Sequence, residues 1–561
     1  MAGPAFTRSR AAAPNRGLGR GPSALALIAG LALTLPALAQ VQVAPLAAPD
    51  MFSTGGGHSD LPPDLWAGSS GALAKLVIPE LTEHPVTPAM AALARHVLEA
   101  GANGPEGVGN DPDLAGARAE ALLQLGDVTA AETIAAGAQN LNQLAALSRV
   151  AAQAALIHGQ DDKACAIGDG LTLGREGAFW LRLRAYCQAA SGQGPAAQLT
   201  LELAEQQEHH ADYERLMGAM LAAPPPKPAP RSKGRAAPVQ SAKVQPTLDT
   251  PLDFAISRKL GLDWVPALEA APASIAVAIA RDPAAPPPVR LAAAARAARL
   301  GIATPDAYAA VTPAPTAMPA DDAPGPVGEA TLVALASSTN DLTLKESAII
   351  VLLRRAKDGP EFQALARLVQ PALAKLMDAK PVLRQPFMFA MAAASTGDLS
   401  NARAARAQVE QGSSAPAPLD LALLDALIAA ASDPVDPGVV RGLSGVEAGV
   451  EGPAKARIAG AMALLGGFLP LGPQARFDVS DGDLGAGFAP PRRQLALEQS
   501  AEQGRMGDTA LYILGTAIEA GPHGPTAGER ALMIRALRQV HLDADARALA
   551  IEGLVAIQAH P

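Results

Sequence analysis

Aromatic residues make up only 3% of this 561-residue chain, and cysteine occurs twice, as Cys165 and Cys187. The apolar residues, 49% of the total, are mostly Ala and Leu. That poverty in aromatics weighs against a sheet protein, because strands favour β-branched and aromatic side chains, whereas Ala and Leu are strong helix formers. The formal net charge of -9 lacks the basic excess that a nucleic-acid surface needs. No Gly-Lys pair occurs anywhere, so there is no phosphate-cradling loop of the P-loop type. Beyond the N-terminal region no apolar run is long enough to span a bilayer, which takes roughly 20 residues.

The N-terminus has the layout of a secretory signal. Arg8, Arg10, Arg16 and Arg20 form a positive region, residues 24 to 33 form a short apolar run, and Pro36 breaks it. Ala37-Leu38-Ala39 then supplies the small-x-small pattern of a cleavage site, with the cut expected between Ala39 and Gln40. Export to a periplasmic or secreted location is therefore expected. An oxidising compartment makes one disulfide between Cys165 and Cys187 the natural reading of an even cysteine count.

Composition divides the remainder. Residues 40–87 are rich in Pro, Gly and Ser and read as an extended lead-in segment with a short helix near Leu73. Helical periodicity covers 88–222. Residues 223–250 are Pro-rich and carry Lys227, Arg231, Lys233, Arg235 and Lys243, the composition of an extended linker. Helical patterns return over 251–310, 328–411 and 418–561, with a Pro/Ala linker at 311–327.

The strongest signal is a repeat. Gly126, Gly159 and Gly192 follow one another at the same interval, each ending one apolar helical pattern and preceding another. An alanine stands seven residues before each glycine (Ala119, Ala152, Ala185) and another five residues after it (Ala131, Ala164, Ala197). The layout recurs around Gly397, with Ala390 and Ala402. A glycine permits the sharp turn between two antiparallel helices, and small residues let those helices approach closely. One hairpin cannot bury its apolar face alone, so hairpins stack. This arrangement resembles the tetratricopeptide repeat family, most clearly over residues 113–207 and again over 386–411. The expected fold is an all-α, TPR-like helical-hairpin solenoid in two or three segments joined by Pro-rich linkers. The final pattern, residues 531–557, also reads as a hairpin but has no turn glycine.

In that register Cys165 falls on the second helix of one hairpin and Cys187 on the first helix of the next, so the two sulfurs meet across a junction between repeats. Arg149 and Arg182 hold equivalent places on successive first helices. The resemblance implies that this face lines a groove, where a guanidinium fork can hold a peptide carboxylate.

Other chemistry is sparse. Residues 68–72 (GSSGA, around Ser70) fall short of a nucleophile elbow, because Ala72 stands where the second glycine belongs. His209, His210 and Glu214 have a spacing that could hold a metal, but adjacent histidines diverge and no third ligand is evident, so a solvated polar helix is the preferred reading. Asp478, Ser480, Asp481 and Asp483 lack the glycine and glutamate positions of a calcium loop. Phe179, Trp180 and Tyr186, at helical spacing, read as core. No catalytic, cofactor or metal residues are assigned. The expected function is an exported scaffold or adaptor with an unidentified protein or peptide partner in a bacterial cell envelope. The alternative is a structural or anionic-polymer-binding envelope protein acting through the basic linker.

Overall fold

The structure is a computed structural model that describes residues 49–54, 60–222, 244–302, 317–319, 325–409, 416–469 and 490–558. The expected cleavage pair Ala39–Gln40, most of the basic linker and the acidic loop around Asp481 lie outside those residues. Among the described residues there are 25 α-helices, packed in adjacent pairs, and no strand.

The repeat register governs the local structure. Pro112–Gln124 pairs with Val128–Gly137, Ala145–Ile157 with Asp161–Gly170, and Ala178–Ala190 with Gly194–Gln207. Further along, Pro386–Ser395 pairs with Leu399–Val409. The turn glycines Gly126, Gly159, Gly192 and Gly397 take φ values of 91°, 72°, 82° and 79°. Each is followed by an amide that reaches back five residues: Asp127 N to Leu122 O at 2.9 Å, Gln160 N to Ala155 O and Gln193 N to Gln188 O at 2.8 Å, Asp398 N to Ala393 O at 2.9 Å. This is the Schellman closure, in which a left-handed residue lets the carbonyls of the last helical turn be satisfied. The eight alanines that flank the turns are all fully buried.

The final hairpin, Ala527–Gln539 with Asp543–Ile557, closes in the same way without glycine. His541 holds the left-handed position at φ 62°, and Leu542 N donates to Leu537 O at 2.8 Å. The geometry tolerates an L-residue there at a cost of about 1–2 kcal/mol, so the missing glycine did not signal a missing turn.

Stacking is regular for two units and then changes. Helices Pro112–Gln124 and Ala145–Ile157 lie side by side, and a Cβ added at Gly116 would come within 2.4 Å of the Ala146 side chain. Helix Ala178–Ala190 makes no comparable contact with Ala145–Ile157; helix Pro251–Lys259 packs there instead. Trp180, Leu183, Tyr186 and Leu201 of the third hairpin consequently share a smaller core with Leu156 and Leu171 of the second, Tyr213 and Met217 of helix Ala211–Ala222, and Leu252 and Ile256 of helix Pro251–Lys259. The Cys165–Cys187 disulfide, with Cα atoms 5.8 Å apart, fastens the third hairpin to the second beside this shared core.

The main core is continuous from Phe52 to Val555 and draws on every described helical block, while the second cluster covers the third hairpin. Residues 49–54 and 60–87 also depart from a plain extended segment. They contain short helices at Met51–Thr54 and Gly71–Val77 and a 3-10 turn at Pro79–Thr82, and they bury Phe52, Leu65, Trp66, Ile78 and Leu81. Apolar side chains spaced between Pro and Gly give no periodicity, yet each finds a place against later helices. Gly507 N donates to Leu65 O at 3.0 Å, and Ser70 N to Asp508 Oδ1 at 2.8 Å.

Replacing Ala152 or Ala185 with Leu should lower stability by about 1–3 kcal/mol through overpacking, while Ala166→Leu, on an exposed position, should be nearly neutral; thermal melts of the three variants compare them. Removing the disulfide with a C165S/C187S pair should cost about 3 kcal/mol for a loop of this length. Urea unfolding with and without reductant measures that loss, and hydrogen exchange should locate it in residues 178–222.

Candidate functional site

Three arginines meet in a cleft of about 690 Å³ at the turn end of the first two hairpins. Its walls include the turns at Gly126, Gly159 and Gly301 and one side of helix Ala273–Arg281. Arg95 Nη1 donates to Leu125 O at 2.9 Å. Arg258 donates to Leu156 O at 3.1 Å and to Asp161 Oδ1 at 2.6 Å, and its guanidinium lies 5.0 Å from the Phe254 ring. Two of the cations therefore cap the carbonyl ends of hairpin helices, where the helix dipole favours positive charge. Burial pushes the Arg95 guanidinium below its ordinary pKa. Arg281 is exposed, and Asp127, His158 and Asp282 add opposite and titratable charge to the rim. The cleft is thus a polar recess with its charges largely matched internally.

A second groove, of about 660 Å³, runs along helices Pro418–Ala430 and Pro437–Glu447. It is mostly apolar, with Leu421, Ile428, Val439, Leu443 and Val446 on its walls. At its edge Arg403 Nη2 donates to Ser432 Oγ at 3.2 Å, and Arg406 Nε to Asp425 Oδ1 at 2.7 Å.

The residues singled out from sequence fall elsewhere. Arg149 is ion-paired with Glu120, a residue of the preceding first helix, which also accepts from Gln153 Nε2 at 3.3 Å. Arg182 donates to Glu208 O at 2.9 Å, lies 3.3 Å from the Glu208 carboxylate and 6.0 Å from the Tyr213 ring centre. Both arginines occupy equivalent first-helix positions, as the register expects, and both are already engaged by acids of this chain. Glu214 Oε1 accepts from the His210 amide at 2.9 Å and lies 2.7 Å from His209 Nδ1, while His210 Nδ1 accepts from Tyr213 N at 3.2 Å. These three residues cap the start of helix Ala211–Ala222. Among the described residues no group of three or more His, Cys, Asp and Glu is placed to hold a metal ion. Ser70 Oγ accepts from Leu73 N at 3.3 Å and caps helix Gly71–Val77. Trp180 and Tyr186 are buried, with Tyr186 OH donating to Asp161 Oδ2 at 2.9 Å.

Three polar residues that carry structural weight were not anticipated. Arg118 is fully buried and donates to Leu98 O at 2.6 Å and to Phe52 O and Ala100 O at 2.8 Å. Its guanidinium sits 4.7 Å from the Phe52 ring centre, and burial brings its pKa down to about 10. Glu552, also buried, accepts from Ala89 N at 2.7 Å and from Arg530 Nη1 at 2.8 Å. His96 places Nδ1 2.9 Å from Asp545 and Nε2 2.8 Å from Asp60. Hydrogen bonding to Asp545 is the main cause that lifts its pKa to about 9, opposed by burial and aided by Asp60. A sequence signal existed for two of them. Arg118 sits four residues from both Leu114 and Leu122, and Glu552 three from both Leu549 and Val555, on helix faces that are otherwise buried.

The fold defines an all-α protein of paired helical hairpins, two of whose surface recesses sit at turns and between helices. No protein-family model, no curated protein and no solved structure matches the chain.

His96 gives a signed pH dependence. Its folded pKa lies above the unfolded value of about 6.5, so its contribution is complete below that value and is lost as pH rises through about 9. Chemical denaturation between neutral pH and pH 10 should show a decline in wild type that is shallower in His96→Gln; parallel curves would remove His96 from the account.

Proposed function

We propose that the chain is an exported, TPR-like helical-repeat scaffold or adaptor that brings proteins together in a bacterial cell envelope and acts by binding rather than by catalysis. The observation that carries this reading is the hairpin register: turn residues in the left-handed conformation at a fixed interval, each flanked by fully buried alanines. Stacked hairpins of this kind present extended surfaces, and partner recognition is the job such surfaces suit. The apolar groove beside helix Pro437–Glu447 has a lining suited to a segment of a partner.

Two features support the compartment. The first is the sequence of residues 8–40, with its charged, apolar and small-residue parts in signal order. The second is the disulfide, a bond that persists in oxidising surroundings. Among the described residues no helix is long and apolar enough to cross a membrane.

The expected mature N-terminus is Gln40 in protein recovered from the periplasmic fraction, as N-terminal sequencing reads it. A full-length chain in the cytosol would overturn export. Crosslinking in intact cells should then recover the same few proteins in repeated preparations, and a chain that crosslinks to nothing reproducibly would overturn the scaffold reading.

A further inference from the structure

We propose that the outward face of helix Gly194–Gln207 docks a basic amphipathic helix of a partner protein. Leu199 and Leu203 stand one helical turn apart on this face and are 62% and 46% exposed. The repeat register shows how unusual they are. Leu199 lies seven residues after the turn glycine and Leu203 eleven. The equivalent residues are Thr133 and Gly137 in the first hairpin and Ala166 and Gly170 in the second, all exposed. Two hairpins thus present small side chains where the third presents two leucines. A single exposed leucine is ordinary, but a pair at adjacent turns on one helix face, at positions held small elsewhere, makes a stripe suited to another helix.

Charge selects the occupant. Helix Gly194–Gln207 contains Glu202 and Glu205 and no Lys or Arg. Glu202 accepts a hydrogen bond from Gln198 Nε2, an uncharged partner. In the second helix of the preceding hairpin Asp169, also exposed, holds the position equivalent to Glu202. An apolar stripe with an acidic border fits a helix that carries apolar side chains at three- and four-residue spacing with Lys or Arg beside them. A second copy of this face would set Glu against Glu, and an anionic lipid surface would be repelled for the same reason.

The surface rests on the reading of the chain as a binding scaffold, but its test does not depend on compartment. Purified full-length protein is titrated into a fluorescently labelled synthetic amphipathic helix of leucine and lysine, with a matched leucine–glutamate helix as control, and anisotropy is followed at several salt concentrations. The lysine peptide should bind, and more weakly as salt rises. L199Q/L203Q should weaken binding about tenfold or more, with thermal melt and disulfide unchanged because both positions are exposed. E202K/E205K should reverse the preference toward the glutamate peptide, a gain that misfolding cannot mimic. The proposal is overturned if L199Q/L203Q binds as wild type does, if wild type binds both peptides alike, or if light scattering shows a wild-type dimer that L199Q/L203Q abolishes. Crosslinks from position 202 to residues 223–243 of the same chain would likewise overturn it, because the stripe would then have an occupant of its own.

Discussion

A buried carboxylate joins the last helix of the described chain to the N-terminal part. Glu552, in the last helix, accepts from the Ala89 amide in the first turn of helix Pro88–Leu98 and from the Arg530 guanidinium. Both charged groups are nearly fully buried. Taking such a pair out of water is costly, and removing one partner typically costs roughly 3–5 kcal/mol because a bare charge is left behind. The amide gives Glu552 a second partner, and the positive end of the helix that begins at Pro88 adds to the attraction. Arg530 Nε in turn donates to Pro525 O at 2.9 Å. The contact lies within the continuous core that runs from Phe52 to Val555.

Arg118 does for the N-terminal segment what Glu552 does for the last helix. Its three carbonyl partners come from Phe52, Leu98 and Ala100, residues that have no regular hairpin to hold them. A guanidinium can satisfy several carbonyls at once because its donors are fixed in one plane. In the segment that lacks a periodic apolar face this buried cation works alongside buried Phe52, Leu65, Trp66, Ile78 and Leu81. Arg149 and Arg182, on hairpin helices, are each paired with an acid of this chain nearer the surface.

What could be read from the sequence was local. Turn glycines and their flanking alanines act within a single hairpin, so spacing alone reveals them, and the Cys165–Cys187 pairing follows from two adjacent hairpins. Contacts between residues far apart in sequence leave no such trace. Ala89 and Glu552 are partners across almost the whole chain, and nothing near either residue announces the other. The displacement of the third hairpin by helix Pro251–Lys259 was hidden for the same reason, since that helix arrives from beyond the basic stretch. Leu65 and Trp66 bury themselves without any periodicity to betray them. His541 was obscure on different grounds: backbone sterics disfavour the left-handed region for a histidine without forbidding it, so residue type was a weak guide. Arg118 and Glu552 were visible as charged residues on apolar helix faces, but composition does not reveal which charges a fold will bury.

The contact between Ala89 and Glu552 also restricts how a protein of this kind can change in length. A stack of hairpins with two free ends gains or loses a unit by duplication or deletion, because each unit touches only its neighbours. Here the amide of a helix before the first repeat and the carboxylate of the last helix are fixed partners. Inserting a hairpin between them would shift one away from the other and strand a buried charge. The number of units is therefore set by that closure, and variation in length is confined to the connections between helices.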